Sequence, residues 1–301
     1  MELWIPITIA AAFLQNLRSA LQKHIKGRLS TLGAAYARFV YAWPLALAYV
    51  WGLNSVGGLA LPQPNWLFLA YCLAGGLSQI LFTVVLLWMF SFRSFAVGTT
   101  FSKLEVVMVA GLSALILGDG LTAIAILAIA ISAAGVVCLS MTQSNLTLGA
   151  LRSGLTEKAT MIGLLSAALL GASSVFYRGG ALALEHDNIP MAAGFTLLVS
   201  VVLQTVIMGA WMIWRAPGEI GRVMQHWRWA GPVGIAGGIG SICWFTAFTI
   251  QNATYVRAVG QIELVFTFMA TLVFFREKVT AIEVLGVLMV VGAILLLLLA
   301  G

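Results

Sequence analysis

The sequence predicts an all-α integral membrane protein whose ten transmembrane helices form two inverted five-helix repeats. Three observations carry this. Of its 301 residues, 61% are hydrophobic and 9% charged, and the mean hydropathy is +1.02, whereas soluble domains carry roughly 25% charged residues. Ten apolar segments each approach the roughly 20 residues needed to cross a bilayer. Finally, Leu104-Glu105-Val106-Val107 leads through an apolar run to Gly118-Asp119-Gly120-Leu121-Thr122-Ala123-Ile124, and the same passage is rewritten 158 residues later. There Ile262-Glu263-Leu264-Val265 leads to Arg276-Glu277-Lys278-Val279-Thr280-Ala281-Ile282, with the same 14-residue step between its two acids.

Taken in order, the predicted spans lie at about 3–22, 31–53, 66–90, 95–117, 121–141, 160–182, 191–214, 229–250, 255–275 and 281–300. The first has no basic residues ahead of it and is followed by Lys23, Lys26 and Arg28, the pattern of a first transmembrane helix and not of a cleaved signal peptide. Ala74-Gly75-Gly76-Leu77 in the third span returns as Ala236-Gly237-Gly238-Ile239 in the eighth, and Lys23 has a candidate counterpart in Arg178. The polar stretch 142–159, with Arg152, Glu157 and Lys158, is the linker between a first repeat, 1–141, and a second, 160–301. Because five is odd, the second copy must enter the membrane from the opposite side, the plan of many secondary transporters.

Charge gives the orientation. Lys23, Lys26, Arg28, Arg93, Arg152, Lys158, Arg215, Arg222, Arg228, Arg276 and Lys278 fall on one face, while the loops of the other carry Asp119, Glu185 and Asp187. The positive-inside rule makes the basic face cytoplasmic, so both termini are expected to face outward. The net charge of +6 is thus a topology signal, and no nucleic-acid partner is expected. Cys72, Cys138 and Cys243 lie in apolar runs and His24, His186 and His226 in loops, a pattern without disulfide or metal-ligand spacing. No cofactor, metal or enzymatic constellation is predicted.

The twice-written Leu-Glu-x-Val, apolar run and acid-x-Leu/Val-Thr pattern, in two five-helix halves, resembles the EamA-like branch of the drug/metabolite transporter superfamily. Lys23, Ser30 and Arg38-Phe39 are similar to the lysine, short loop and Arg-Phe that open the family's repeat. The resemblance covers essentially the whole chain. It implies a secondary transporter that exports amino acids or similar small metabolites, in a bacterial inner (plasma) membrane, as monomer or homodimer. Two departures stand out. Val106 and Leu264 occupy positions where the family often has proline, so straighter fourth and ninth helices are expected; Ala12-Phe13-Leu14 replaces a Trp-Gly pair.

Polar side chains inside spans are costly unless paired or facing water, and so mark candidate sites. The substrate-binding or coupling candidates are Gln15, Asn16, Arg38, Gln79, Lys103, Glu105, Arg257, Gln261 and Glu263, with Gln204 as a further intramembrane polar residue. Arg18 and Arg178 lie near predicted helix ends, where they can snorkel to the interface. Lys103 and Glu105, two apart, point to different sides of a helix, whereas Arg257 and Gln261, four apart, share a face. Glu105 and Glu263 are the most central acids. Two readings stand for them: proton coupling, because burial favours a protonated carboxyl, or structural hydrogen bonding that holds the bundle.

Five interior cations (Arg18, Arg38, Lys103, Arg178, Arg257) against these two acids favour anionic or zwitterionic substrates, since Arg suits carboxylate and phosphate. Snorkelling of the peripheral arginines would bring that balance near neutrality. Asp119 and Glu277 sit in turns three residues before a Thr, where they read as helix caps and fold markers; Glu283 suits the start of the tenth helix. Gly75-Gly76, Gly237-Gly238, a Gly286/Gly292 stripe and an Ala128/Ala134 stripe read as close helix packing. The competing functions are efflux of cationic drugs or quaternary ammonium compounds, disfavoured by the lack of an acid in the first span, and a non-transporting membrane assembly protein.

Overall fold

The computed structural model describes residues 2–25, 28–89, 101–143, 149, 158–270 and 280–300. Within these residues the ordered elements are helices, with no strand. They are α1 (Trp4–Ile25), α2 (Thr31–Val40), α3 (Trp43–Ser55), α4 (Trp66–Met89), α5 (Glu105–Leu117), α6 (Ala123–Gln143), α7 (Lys158–Ala183), α8 (Ile189–Arg215), α9 (Glu219–Gln225), α10 (Trp227–Ile250), α11 (Ala253–Gly260), α12 (Ile262–Ala270) and α13 (Ala281–Ala300). Six helices, α4, α6, α7, α8, α10 and α13, contain segments long and apolar enough to cross a membrane, and α5 is a shorter apolar helix.

Three predicted spans are interrupted. The span at 31–53 divides at Tyr41–Ala42 into α2 and α3, because Pro44 lacks an amide proton and takes a first-turn position in α3, the one place where that loss costs nothing. The expectation of straight fourth and ninth helices is overturned. Leu104 N bonds Phe101 O (3.1 Å) and Val107 N bonds Leu104 O (3.1 Å); in the second copy Gln261 N bonds Ala258 O (3.2 Å) and Leu264 N bonds Gln261 O (2.9 Å). These are the tight three-residue steps of a 3₁₀ turn, and no proline is needed to make them. Each break starts a new helix with the motif glutamate in its first turn, Glu105 in α5 and Glu263 in α12. An acidic residue in that position lies at the positive end of the helix dipole, which favours a helix start at that point.

The chain parts into two compact units, each drawing on both halves of the sequence: Met1–Ile80 with Phe176–Gln251, and Leu81–Val175 with Asn252–Gly301. In the first unit α1 packs along α10, and α8 packs on α2, α3 and α10. A satellite core of Phe68, Cys72, Leu184 and Ala192 joins α4, the end of α7 and α8. On the predicted basic face, Ser30 caps α2 by accepting from Gly33 N (3.0 Å), and its own amide donates to Glu219 Oε1 (2.9 Å). Arg222 completes the knot by donating to Glu219 Oε2 (3.1 Å) and to Arg28 O (3.1 Å). The short helix α9 is thereby tied to the start of α2.

In the second unit α6 packs along α13 and α5 packs on α11. The first contact is made by Gly135 and Gly286: a Cβ on Gly135 would lie 2.8 Å from Gly286 O, and one on Gly286 would lie 2.9 Å from Gly135 O. The predicted stripe is thus shifted, because Gly292 faces open space and Ala134 is exposed, while Ala128 is buried. α5 ends at Gly118, whose φ of 70° is the left-handed cap that glycine adopts without strain.

Candidate substrate and coupling sites

The second unit gathers most of the predicted charged candidates around Glu105. Arg257, in the last turn of α11, places a guanidinium nitrogen 3.6 Å from Glu105 Oε1, with both side chains largely buried. Arg257 Nε also donates to Ser174 Oγ of α7 (2.9 Å). Besides Arg257, Glu263 and Lys103 act electrostatically on Glu105. Lys103 lies in the turn before α5, near enough to act on Glu105 through its charge. Gln261 stands at the matching break before Glu263 and is buried. Lys103 and Gln261 are both two residues ahead of their glutamates and occupy equivalent positions in the duplicated motif.

The first unit holds a second polar cluster. Gln79 Oε1 accepts from Gln204 Nε2 (2.7 Å) and from Tyr177 Oη (3.3 Å), and Gln204 Nε2 also reaches Tyr177 Oη (3.1 Å). All three residues are buried. The duplicated glycine pair makes room for them: a Cβ on Gly75 would lie 2.7 Å from the Tyr177 ring, and one on Gly76 would lie 3.3 Å from Gln204 Cγ. In the other copy, a Cβ on Gly237 would lie 3.2 Å from Arg18 Cδ and 3.5 Å from Arg38 Cγ. Arg38 in turn acts on the Tyr177 phenol. Tyr177 carries no charge and lies in an apolar helix, so sequence reading passed over it; its only signal was adjacency to Arg178.

Arg18 is therefore not peripheral. Helix α1 continues to Ile25, which leaves Arg18 about 10 Å from the helix end at 1.5 Å per residue, with its stem against the middle of α10. Arg178 does not snorkel either; it donates to the carbonyls of Phe248 and Gln251 (both 2.6 Å) and so caps the C-terminal end of α10. Gln15 and Asn16 are half-buried in α1 and make polar or electrostatic contacts of their own. Thr122 caps α6 by accepting from Ala125 N (3.2 Å), while Asp119 accepts from Ser113 Oγ (2.6 Å) and so ties back to the preceding helix. Glu277 lies outside the described residues. Thr280 and Glu283 form a reciprocal capping box at α13, the arrangement that satisfies two first-turn amides at once.

The family model described as the EamA-like transporter family matches residues 158–299. The match spans slightly less than half of the chain and is a likeness to that family. Among the described residues, six helices are long and apolar enough to cross a membrane, which agrees with a multi-pass membrane protein. A solved protein crystal structure superposes with a TM-score of 0.70 at 16% identity, covering 99% of this chain and 96% of its own; the likeness shows a shared fold. No curated protein matches the sequence.

Proposed function

We propose that this EamA-like chain is a secondary transporter that exports small polar metabolites, amino acids or organic anions, by alternating access of two inverted five-helix repeats. The observation that carries the reading is the break repeated before Glu105 and Glu263. Discontinuous helices with charged groups at the interruption are a recurrent way for transporters to build sites within the membrane, and here the same construction occurs in both copies of one motif.

Glu105 and Glu263 are the proposed coupling acids. Arg257 stands against Glu105, and Glu263 acts on the same carboxyl group. A proton loaded on one of the two from one side of the membrane, and released to the other, would alternately loosen and restore the contact with Arg257. The chain supplies all of these groups from its own helices.

The test is solute transport into vesicles reconstituted with the full chain, across an amino-acid and organic-anion panel, with and without an imposed pH gradient. Transport should be accelerated by the gradient, and Glu105→Gln or Glu263→Gln should abolish the acceleration. Solute movement indifferent to the gradient in the unmodified chain would overturn the coupling role.

A further inference from the structure

We infer that Arg28 and Arg222, with Trp229 stacked beside them, form a site in the first unit for the phosphate of an anionic phospholipid. Such a site serves the lipid around the chain and not the solute it moves, and it holds whatever that solute is.

Three elements meet at this place: α1 ends at Ile25, α9 runs from Glu219 to Gln225, and α10 starts at Trp227. Arg222 donates to the Arg28 carbonyl (3.1 Å) and to Glu219 Oε2 (3.1 Å), so the two arginines are neighbours and one of them is anchored from beneath. The Arg28 guanidinium carbon lies 4.2 Å from the centre of the Trp229 ring, within cation–π range, and His24 flanks the same ring at 5.6 Å. These contacts hold both guanidinium groups in place without using them up. Arg222 retains further N–H donors, since a guanidinium has more of them than two bonds use. Stacking engages the face of the Arg28 fork and not its N–H edge. Forks held in this way suit phosphate oxygens.

Charge and exposure select an anion. The Arg222 side chain is 54% exposed and that of its carboxylate partner 8%, so the positive member of the pair is the one that faces out. Arg28, Arg215 and Arg228 are exposed at the same end of the unit. Four outward arginines over one buried carboxylate leave this end with a balance of +3 among the described side chains. The acids Glu2 and Asp187 stand before α1 and α8, a whole helix length from Arg28 and Arg215.

Depth selects a lipid over a soluble phosphate. α8 and α10 contain segments long and apolar enough to cross a bilayer, so Arg215 at the end of one and Trp227 at the start of the other mark where hydrocarbon gives way to headgroups. Trp214, Trp227 and Trp229 are 71%, 59% and 46% exposed, and the headgroup layer is where open tryptophans concentrate. Arg215 lies 4.0 Å from the Trp214 ring and Arg228 5.8 Å from the Trp227 ring, which repeats the Arg28–Trp229 pairing along the boundary. Basic pockets between spanning helices at this depth hold acidic headgroups. Exposed Val206 and Ile213, on one face of α8, offer apolar surface to acyl chains.

The purified full-length chain in neutral detergent is to be titrated with dioleoyl phosphatidylglycerol, dioleoyl phosphatidylcholine and soluble glycerol phosphate, with binding read by native mass spectrometry and by the shift in melting temperature. Phosphatidylglycerol should bind more tightly than phosphatidylcholine, and added salt should weaken it. Arg28→Gln, which leaves the backbone carbonyl that Arg222 uses, should raise the Kd for phosphatidylglycerol about fivefold, the loss expected for one arginine at an anionic surface. Arg222→Gln should lose as much or more and decides the matter if the Arg28 variant does not fold. Lys158→Gln makes the same change in net charge in the second unit and should leave that Kd unchanged.

Equal binding of the two lipids, an unchanged Kd in folded Arg28 or Arg222 variants, or an equal loss in Lys158→Gln would overturn the site. Glycerol phosphate binding as tightly as phosphatidylglycerol would overturn it too, in favour of a soluble phosphate.

Discussion

A carboxylate that accepts from both a backbone amide and an arginine releases its proton easily, and Glu219 does both. Burial works to raise its pKa, but the bonds from Ser30 and the charge of Arg222 outweigh burial and hold it below the ordinary value of 4.5. A folded-state pKa below the unfolded one contributes stability that is complete above about pH 4.5 and is lost as pH falls through the lower, folded value. The purified protein should therefore unfold at lower temperature on acidification below that point. Glu219→Gln should lower stability at neutral pH by about 1–3 kcal/mol and flatten the acid limb of the profile; an acid limb identical to that of the unmodified chain would show that Glu219 does not hold α9 to α2. Arg178 illustrates the same lesson with opposite charge. In sequence it lay near a helix end and suited the interface, yet its guanidinium is spent on carbonyls of α10, a demand that only the arrangement of two distant helices reveals.

At the level of helices, α6 and α13 test whether glycine spacing or glycine contact sets the packing. Gly286→Val should clash with Leu139 and with the Gly135 carbonyl, 2.8 and 2.9 Å from the added Cβ, and cost about 1–3 kcal/mol. Gly292→Val, in open space, should leave melting unchanged within error. Equal effects of the two would refute the assigned contact. The difference between them also marks what could be read in advance. Helix existence was legible because long apolar runs leave few alternatives. The division of α2 from α3 had a visible cause in Pro44, but the breaks before Glu105 and Glu263 had none, since a change from four-residue to three-residue hydrogen bonding leaves composition untouched. The expectation of straight helices therefore failed where proline was taken as the only route to a break. Lys103, Glu105, Arg257 and Glu263 were legible as candidates because charge inside an apolar run is conspicuous; Ser174 and Tyr177, small or uncharged, were not.

For the whole chain, the asymmetric distribution of Lys and Arg gives a measurable orientation. A carboxy-terminal reporter active only in the cytoplasm should remain silent, and a bright signal would reverse the proposed topology. The motif resemblance was carried by repetition more than by any single motif, and the family match to residues 158–299 begins two residues before the second copy and covers nearly all of it. Neither route could anticipate how the copies are shared out in space, because a duplicated sequence suggests two bodies in series. The compact units are instead interleaved, each with one stretch of chain opened early and closed late. This bears on how the protein is made. When residue 175 has been synthesised, the first unit has only its opening 80 residues, and Ser30 waits for a partner 189 positions downstream. Neither body can be completed during synthesis of the first half, so nascent helices must persist in the membrane and await late-arriving partners. A chain truncated after α6 would leave both units unfinished.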